Sequence, residues 1–209
     1  MKLLGVDTTK KSAKIFVVDS DNNDIYWLEM PATMKHSENL FLYIEKTCLD
    51  NHISIEEFDG FVCVVGPGSF TGIRVGMSTI KGFNKALNKS VVAINSFEML
   101  LSCVKTGYIL LSSTLTSSYY AKIVKGRIAD TGVIDNSEIA GLANGEMVYI
   151  LKEEQDYIKM EYNNCKIIDD LKGCYLKAVM DRLDSGEYGE FVPYYLQLSQ
   201  AERNLKDER

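Results

Sequence analysis

Histidine is nearly missing from this 209-residue chain, with only His36 and His52, far apart. That argues against a histidine-based metal site. No Cys-x-x-Cys occurs, and the five cysteines (Cys48, Cys63, Cys103, Cys165, Cys174) are odd in number, widely spaced and mostly inside apolar runs. They are expected to be reduced, in a cytoplasmic protein. No apolar run approaches the length of a membrane span. The opening Met1–Val6 stretch meets Asp7 after a few apolar residues, so no signal peptide is expected. Basic residues are outnumbered, 23 Lys and Arg against 29 Asp and Glu, for a net charge of −6. They are also scattered, whereas a nucleic-acid binder needs clustered cations to displace counterions. If RNA is involved, another subunit holds it.

Three prolines and 15 glycines make up the punctuation, and one stretch concentrates it. Gly66-Pro67-Gly68-Ser69-Phe70-Thr71-Gly72-Ile73-Arg74-Val75-Gly76 follows the apolar run Phe61–Val65 and precedes a helical pattern reaching about Leu87. The run is too short for a helix and rich in β-branched residues, so it reads as a buried strand. A strand, a glycine turn and a helix N-terminus can cradle a phosphate on free backbone N–H groups. No Lys follows Gly72, so it is not a Walker loop, and it is not GxGxxG. The commoner reading is a tight corner needing backbone angles that glycine supplies.

Strands are expected at Leu3–Val6, Ala13–Val18 and Ile25–Met30, the last two joined by the turn Asp21-Asn22-Asn23-Asp24. A helix over Ser37–Asp50, the Phe61–Val65 strand, the corner, the second helix, a strand at Val91–Ile94 and a helix at Ser96–Val104 follow. The second half starts again with strands at Tyr108–Ser112, Tyr119–Val124 and Arg127–Ile134. Then come a weak helix at Ser137–Asn144, strands at Met147–Leu151 and Cys165–Ile168, and a helix at Leu171–Leu183. Strands alternating with helices after a hairpin indicate an α/β fold, with a mixed sheet and packed helices in each half. The expected lobes are 1–105 and 106–198, with a charged tail at 199–209 that should fray.

Asp7-Thr8-Thr9 ends the first strand. An acid and two hydroxyls on a hairpin turn can hold a phosphate and its metal. They can equally form an Asx-type turn that caps local N–H groups, the commoner case. His36, next to a plausible N-cap at Ser37, is either a ligand, a general base or a structural donor. Arg74, one turn into the second helix, could meet an anion or simply be solvated or paired. Asp59, Asp135, Asp169 and Asp170 show no spacing that pairs them for acid–base work.

At 100° per residue the second helix carries three stripes. Ile73, Gly76, Met77, Ile80, Phe83 and Leu87 form a large apolar one, and Arg74, Ser78, Lys81, Lys85 and Asn88 a polar one. Between them Gly72, Val75, Thr79, Gly82 and Ala86 form a small-residue stripe. The non-polar arc spans roughly 220°, more than the ~100° that one core contact needs. The surplus could receive another helix at close range, the chain's own or a partner's. The first helix has a similar surplus, with Leu42 and Leu49 projecting away from Leu40, Ile44, Thr47 and Cys48.

Leu4-Gly5-Val6-Asp7-Thr8-Thr9, His36-Ser37-Glu38, the Gly66–Gly76 stretch and the late Pro193-Tyr194-Tyr195-Leu196…Gln200-Ala201-Glu202 together resemble the TsaB (YeaZ) family, in order and spacing over nearly the whole chain. The resemblance implies the actin-like, two-lobed ASKHA fold. It implies a non-catalytic partner of TsaD in making N6-threonylcarbamoyladenosine at adenosine 37 of tRNAs that read ANN codons, with TsaE joining the complex and tRNA reached only through it. It places the TsaD contact, or a homodimer of the free protein, on the first two helices, hence on Leu42, Leu49, Gly72, Val75, Gly76, Thr79, Gly82 and Phe83. No cofactor of the chain's own is implied, with room for a nucleotide at the partner interface. Asp7, Thr8 and Thr9 would be a vestigial phosphate site. One departure stands out. The family's Asp-Ala-Arg strand opening of the second lobe is replaced by Leu110-Leu111-Ser112-Ser113-Thr114, which removes a carboxylate that an ATP-binding relative would use. The competing readings are an autonomous ASKHA ATPase or phosphotransferase, resting on the Asp7 turn and the corner, and a metallopeptidase, opposed by the missing histidine pair.

Overall fold

β1 (Lys2–Asp7), β2 (Ala13–Asp19) and β3 (Asp24–Met30) form an antiparallel meander. β4 (Gly60–Val64) and β5 (Ser90–Ile94) continue from β1 in parallel, giving the order β3-β2-β1-β4-β5. Parallel neighbours need crossovers, and α1 (His36–Asp50) and α2 (Phe70–Leu87) supply them. The computed structural model describes residues 1–155, 158 and 164–197.

β1, β2 and β4 are buried along nearly their whole length, so they read as unbroken apolar runs rather than alternating ones. Side chains of successive strand residues point to opposite faces. Phe61, beside Leu4, stacks on Phe83 of α2 at 5.7 Å. Phe16, beside Gly5, meets Tyr175 edge-on at 5.4 Å. Tyr175 belongs to α4 (Leu171–Ser185), so α2 and α4 cover opposite faces of this sheet. Gly5 is what lets Phe16 lie flat there, because a Cβ at that position would fall 2.0 Å from the ring.

β6 (Gly107–Ser112), β7 (Ser117–Val124) and β8 (Arg127–Asp135) form a second meander, extended in parallel by β9 (Val148–Leu151) and β10 (Cys165–Ile168). Its order is β10-β9-β6-β7-β8. Tyr108, Leu110, Val148 and Ile150 pack under α3 (Ile139–Ala143) through Ile139 and Ala143. Two α/β units with one mixed sheet each are the ASKHA arrangement expected.

The boundaries differ from the expected ones. The first unit comprises Met1–Cys103 and Asp170–Pro193, the second Val104–Asp169 and the chain from Tyr194. The helix expected to close the second lobe belongs to the first, because Cys174, Tyr175 and Arg182 all bond there. The helix expected at Ser96–Val104 is a 3₁₀ helix at Glu98–Cys103, and the one at Ser137–Asn144 is a 3₁₀ turn followed by the short α3. The expectation of five reduced cysteines is also corrected. Cys103 and Cys174 form a disulfide across 71 residues, while Cys48, Cys63 and Cys165 are free. The return of α4 brings the pair together, and no local spacing announces it. The expected tail 199–209 and Gln200-Ala201-Glu202 lie outside the described residues. No helix among the described residues is long and apolar enough to cross a membrane.

Candidate functional site

The glycine corner sits directly on the Asp7 turn. Ser69 caps α2 by accepting from the Gly72 N–H at 3.2 Å. The Ser69 N–H itself donates to the Thr9 carbonyl at 2.7 Å. The Thr8 hydroxyl donates to the Gly72 carbonyl at 2.7 Å. Two glycines of α2 make this approach feasible. A Cβ on Gly72 would fall 2.0 Å from the Thr8 carbonyl oxygen, and one on Gly76 2.3 Å from Thr8 Oγ1. Behind the corner, Ser96 donates from its hydroxyl to the Pro67 carbonyl at 2.8 Å and from its N–H to the Gly66 carbonyl at 2.7 Å.

Asp7, Thr8 and Thr9 are each only 1% exposed. Burying a carboxylate is costly unless donors replace its water. Here Asp7 Oδ1 accepts from the Thr9 N–H at 2.8 Å and the Thr9 hydroxyl at 2.7 Å, and Oδ2 accepts from the Tyr175 hydroxyl. Lys14 lies directly opposite Asp7 in the β1–β2 ladder, is fully buried, and donates to Ser12 Oγ at 3.0 Å. Cross-strand neighbours of opposite charge on one face support each other. The structure thus brings Asp7, Thr8 and Thr9 together with the corner, but as an Asx-type turn. Both carboxylate oxygens, and the N–H groups of Ser69, Gly72 and Ile73, are engaged by the chain itself. Among the described residues no group of three or more His, Cys, Asp and Glu could hold a metal.

The outer faces of α1 and α2 carry apolar side chains that the sheet does not cover. Phe41 is 61% exposed, Leu42 60% and Leu49 68%. Phe41 meets Phe83 of α2 edge-on at 5.9 Å, which joins the two helices into one apolar surface.

Residues 30–168 match the family described as "TsaD: tRNA N6-adenosine threonylcarbamoyltransferase". The chain belongs to this family. A threonylcarbamoyltransferase of Kosmotoga olearia is 34% identical over 64 residues, 31% of this chain and 19% of that one. A Mycobacterium leprae protein described as uncharacterized is 30% identical over 101 residues, 47% of this chain and 28% of that one. The chain thus spans under a third of the length of these relatives. The structure of YeaZ from Pseudomonas aeruginosa superposes with a TM-score of 0.70 at 17% identity, over 93% of this chain and 100% of the other. The fold of this threonylcarbamoyltransferase-family chain is therefore that of YeaZ, as the resemblance implied.

Within this framework the expected interface set divides. Gly72, Gly76 and Thr79 are buried in the chain itself, Gly72 and Gly76 against Thr8, so they leave the set that a partner could reach. Leu42 and Leu49 are exposed, Val75 and Phe83 are half-buried, and Gly82 has nothing within 4 Å of the place its Cβ would take. His36 is a structural donor, with Nε2 3.0 Å from the Lys11 carbonyl. The helix starts at His36, so Ser37 lies inside it and is not the N-cap. Arg74 lies over the Phe70 ring at 3.9 Å, as a cation–π pair. Asp170 caps α4 by accepting from the Gly173 N–H at 2.9 Å, and Asp135 caps the turn at Asn136–Glu138. Sequence reasoning missed Tyr175, Lys14 and Ser96. Tyr175 lies 168 residues from Asp7 and is one tyrosine among 12, so no spacing points to it.

Proposed function

We propose that the chain acts in threonylcarbamoyl modification of tRNA as a non-catalytic partner subunit, pairing with a TsaD protein through the outer faces of α1 and α2. Membership of the threonylcarbamoyltransferase family supports the pathway. The observation that carries the partner role is the apolar surface of Phe41, Leu42, Leu49 and Phe83 beside the open Gly82. A glycine lets a second helix axis come close, and exposed leucines and phenylalanines supply the burial. The engagement of Asp7 by Thr9 and Tyr175 supports a structural role for that turn rather than a catalytic one. In this reading TsaE joins the pair, a nucleotide has room only at the shared interface, and the chain alone homodimerises on the same face in the cytoplasm. With a net charge of −6, the chain meets tRNA only through the complex.

The test is association with TsaD by size-exclusion chromatography, using the wild type and two variants, Gly82→Leu and Leu49→Asp. Both should fold, since neither site is packed, and both should lose the complex. ATP turnover by the chain alone, abolished by Asp7→Asn in a folded protein, would favour an autonomous ATPase instead. Retention of native TsaD affinity by both variants would move the interface elsewhere.

A further inference from the structure

We propose that Cys103 and Cys174 form a reversible redox latch, which holds α4 on the first unit and Tyr175 on Asp7. The placement of the pair carries the argument. Cys103 is the last residue of the unit's first segment, and the chain returns at Asp170. Cys174 sits in the first turn of α4. The disulfide therefore joins the exit of the chain to its re-entry and encloses the excursion between them.

The helix is held by a short set of contacts. Its fully buried residues are Cys174, Tyr175, Ala178 and Val179. Leu171, Leu176, Met180 and Leu183 are only half-buried, and Arg182 pairs with Glu98 at 2.8 Å. Ion pairs with partly exposed partners contribute little. Tyr175 makes the functional link, because its hydroxyl donates to Asp7 and its ring meets Trp27 at 5.0 Å. Asp7 in turn orders the turn on which α2 is seated.

The two cysteines differ in exposure. Cys103 is half-buried, whereas Cys174 is 1% exposed. A low-molecular-weight thiolate attacks Cys103 Sγ, the S–S bond breaks, and Cys174 leaves as a thiolate that takes up a proton. A second thiol molecule attacks the mixed disulfide and releases the Cys103 thiol. In total, one protein disulfide and two thiols give one protein dithiol and one small-molecule disulfide. In the dithiol state α4 loosens, Tyr175 leaves Asp7, and the carboxylate loses its cover.

Trp27 is the only tryptophan of the chain and reports on α4 directly. The full chain is equilibrated across ratios of oxidised to reduced dithiothreitol. It is then measured by iodoacetamide labelling after denaturation, acrylamide quenching of Trp27, and amide exchange. Labelling should rise from three thiols to five on reduction. Across the same ratios, amides of Leu171–Ser185 should exchange about tenfold faster, and quenching of Trp27 should rise about twofold, both reversibly, as for a local opening. Cys103→Ser should show the reduced behaviour at every ratio, and Cys165→Ser should respond like the wild type. Five labels under oxidising conditions would overturn the proposal. So would reduction that leaves α4 exchange and Trp27 quenching unchanged, since the bond would then be inert. Faster exchange across every strand of the first sheet would overturn it too, as the bond would then serve global stability alone.

Discussion

The first sheet, β3-β2-β1-β4-β5, and the second, β8-β7-β6-β9-β10, trace the same path, each through one meander and two parallel additions. β1 ends in Asp7 and β6 in Ser112, at matching places. In the first unit the acid stands on the strand, and the hydroxyls come from its own turn and from Tyr175. In the second unit the hydroxyl stands on the strand and the acid comes from Glu154, just past β9. Glu154 Oε1 accepts from the Ser112 N–H and hydroxyl at 3.1 Å each. The glycine corner follows β4 in the first unit, and a short 3₁₀ turn, Lys152–Glu154, follows β9 in the second. One topology thus satisfies its central strand end in two opposite ways. Only the first way seats an 18-residue helix against the turn.

The hardest way to break this comparison is at the seat itself. Gly72→Ala puts a Cβ into the Thr8 carbonyl, and backbone cannot yield cheaply. The loss should be about 3 kcal/mol or more, read by urea unfolding. An unchanged midpoint would mean that α2 can lift off the turn. The next effect is the acid. Asp7→Asn offers Tyr175 and Thr9 one acceptor oxygen in place of two, and adds an amide that needs partners of its own. That should cost about 2 kcal/mol. Glu154→Gln keeps one acceptor for Ser112 and should cost about 1 kcal/mol. If the two substitutions cost the same, the two strand ends are equivalent despite their swapped partners. Gly82→Ala should go the other way, because the site is open, and gain up to about 1 kcal/mol.

The smallest effect is alkaline. Each unit has a tyrosine bonded to an aspartate, Tyr26 to Asp50 and Tyr120 to Asp130. Burial first, and then the aspartate, push Tyr26 up to about 12 and raise Tyr120 as well. A raised folded value stabilises the protein below the unfolded value near 10, and this is lost as pH climbs through the folded one. Ultraviolet titration should show Tyr26 and Tyr120 among the late-ionising tyrosines, and Tyr26→Phe should remove the one near 12. A single normal transition would mean that neither ring is shielded.

Most of this frame was legible in order along the chain. Phe61–Val65 announces itself as an apolar β-branched run, strands are expected also at Ala13–Val18 and Cys165–Ile168, and the strands found there start and stop within a residue or so. The three stripes of α2 follow from its 100° period, and its buried residues include Ile73, Met77 and Ile80 of the apolar stripe. The small-residue stripe was legible as a stripe but not as a surface. Its first residue, Gly72, lies on the Thr8 carbonyl, Thr79 is buried and Gly82 is open, which depends on where β1 ends in space. The helix expected at Ser96–Val104 failed for a local reason. Asn95 accepts from the Phe97 and Glu98 N–H groups while Glu98 accepts from the Asn95 N–H, fixing a tight start that continues as 3₁₀.

The sequence by itself determined the α/β class, the doubled strand pattern, the corner and the family, because these rest on periodicity, turn residues and motif spacing. Tertiary structure alone decided which unit owns α4, that Cys103 finds Cys174, and that Tyr175 covers Asp7. Those pairings span 71 and 168 residues. Periodicity fixes the face a side chain takes on its own element. Which distant element arrives at that face is set by the burial of the whole core, to which no stretch of neighbouring residues refers.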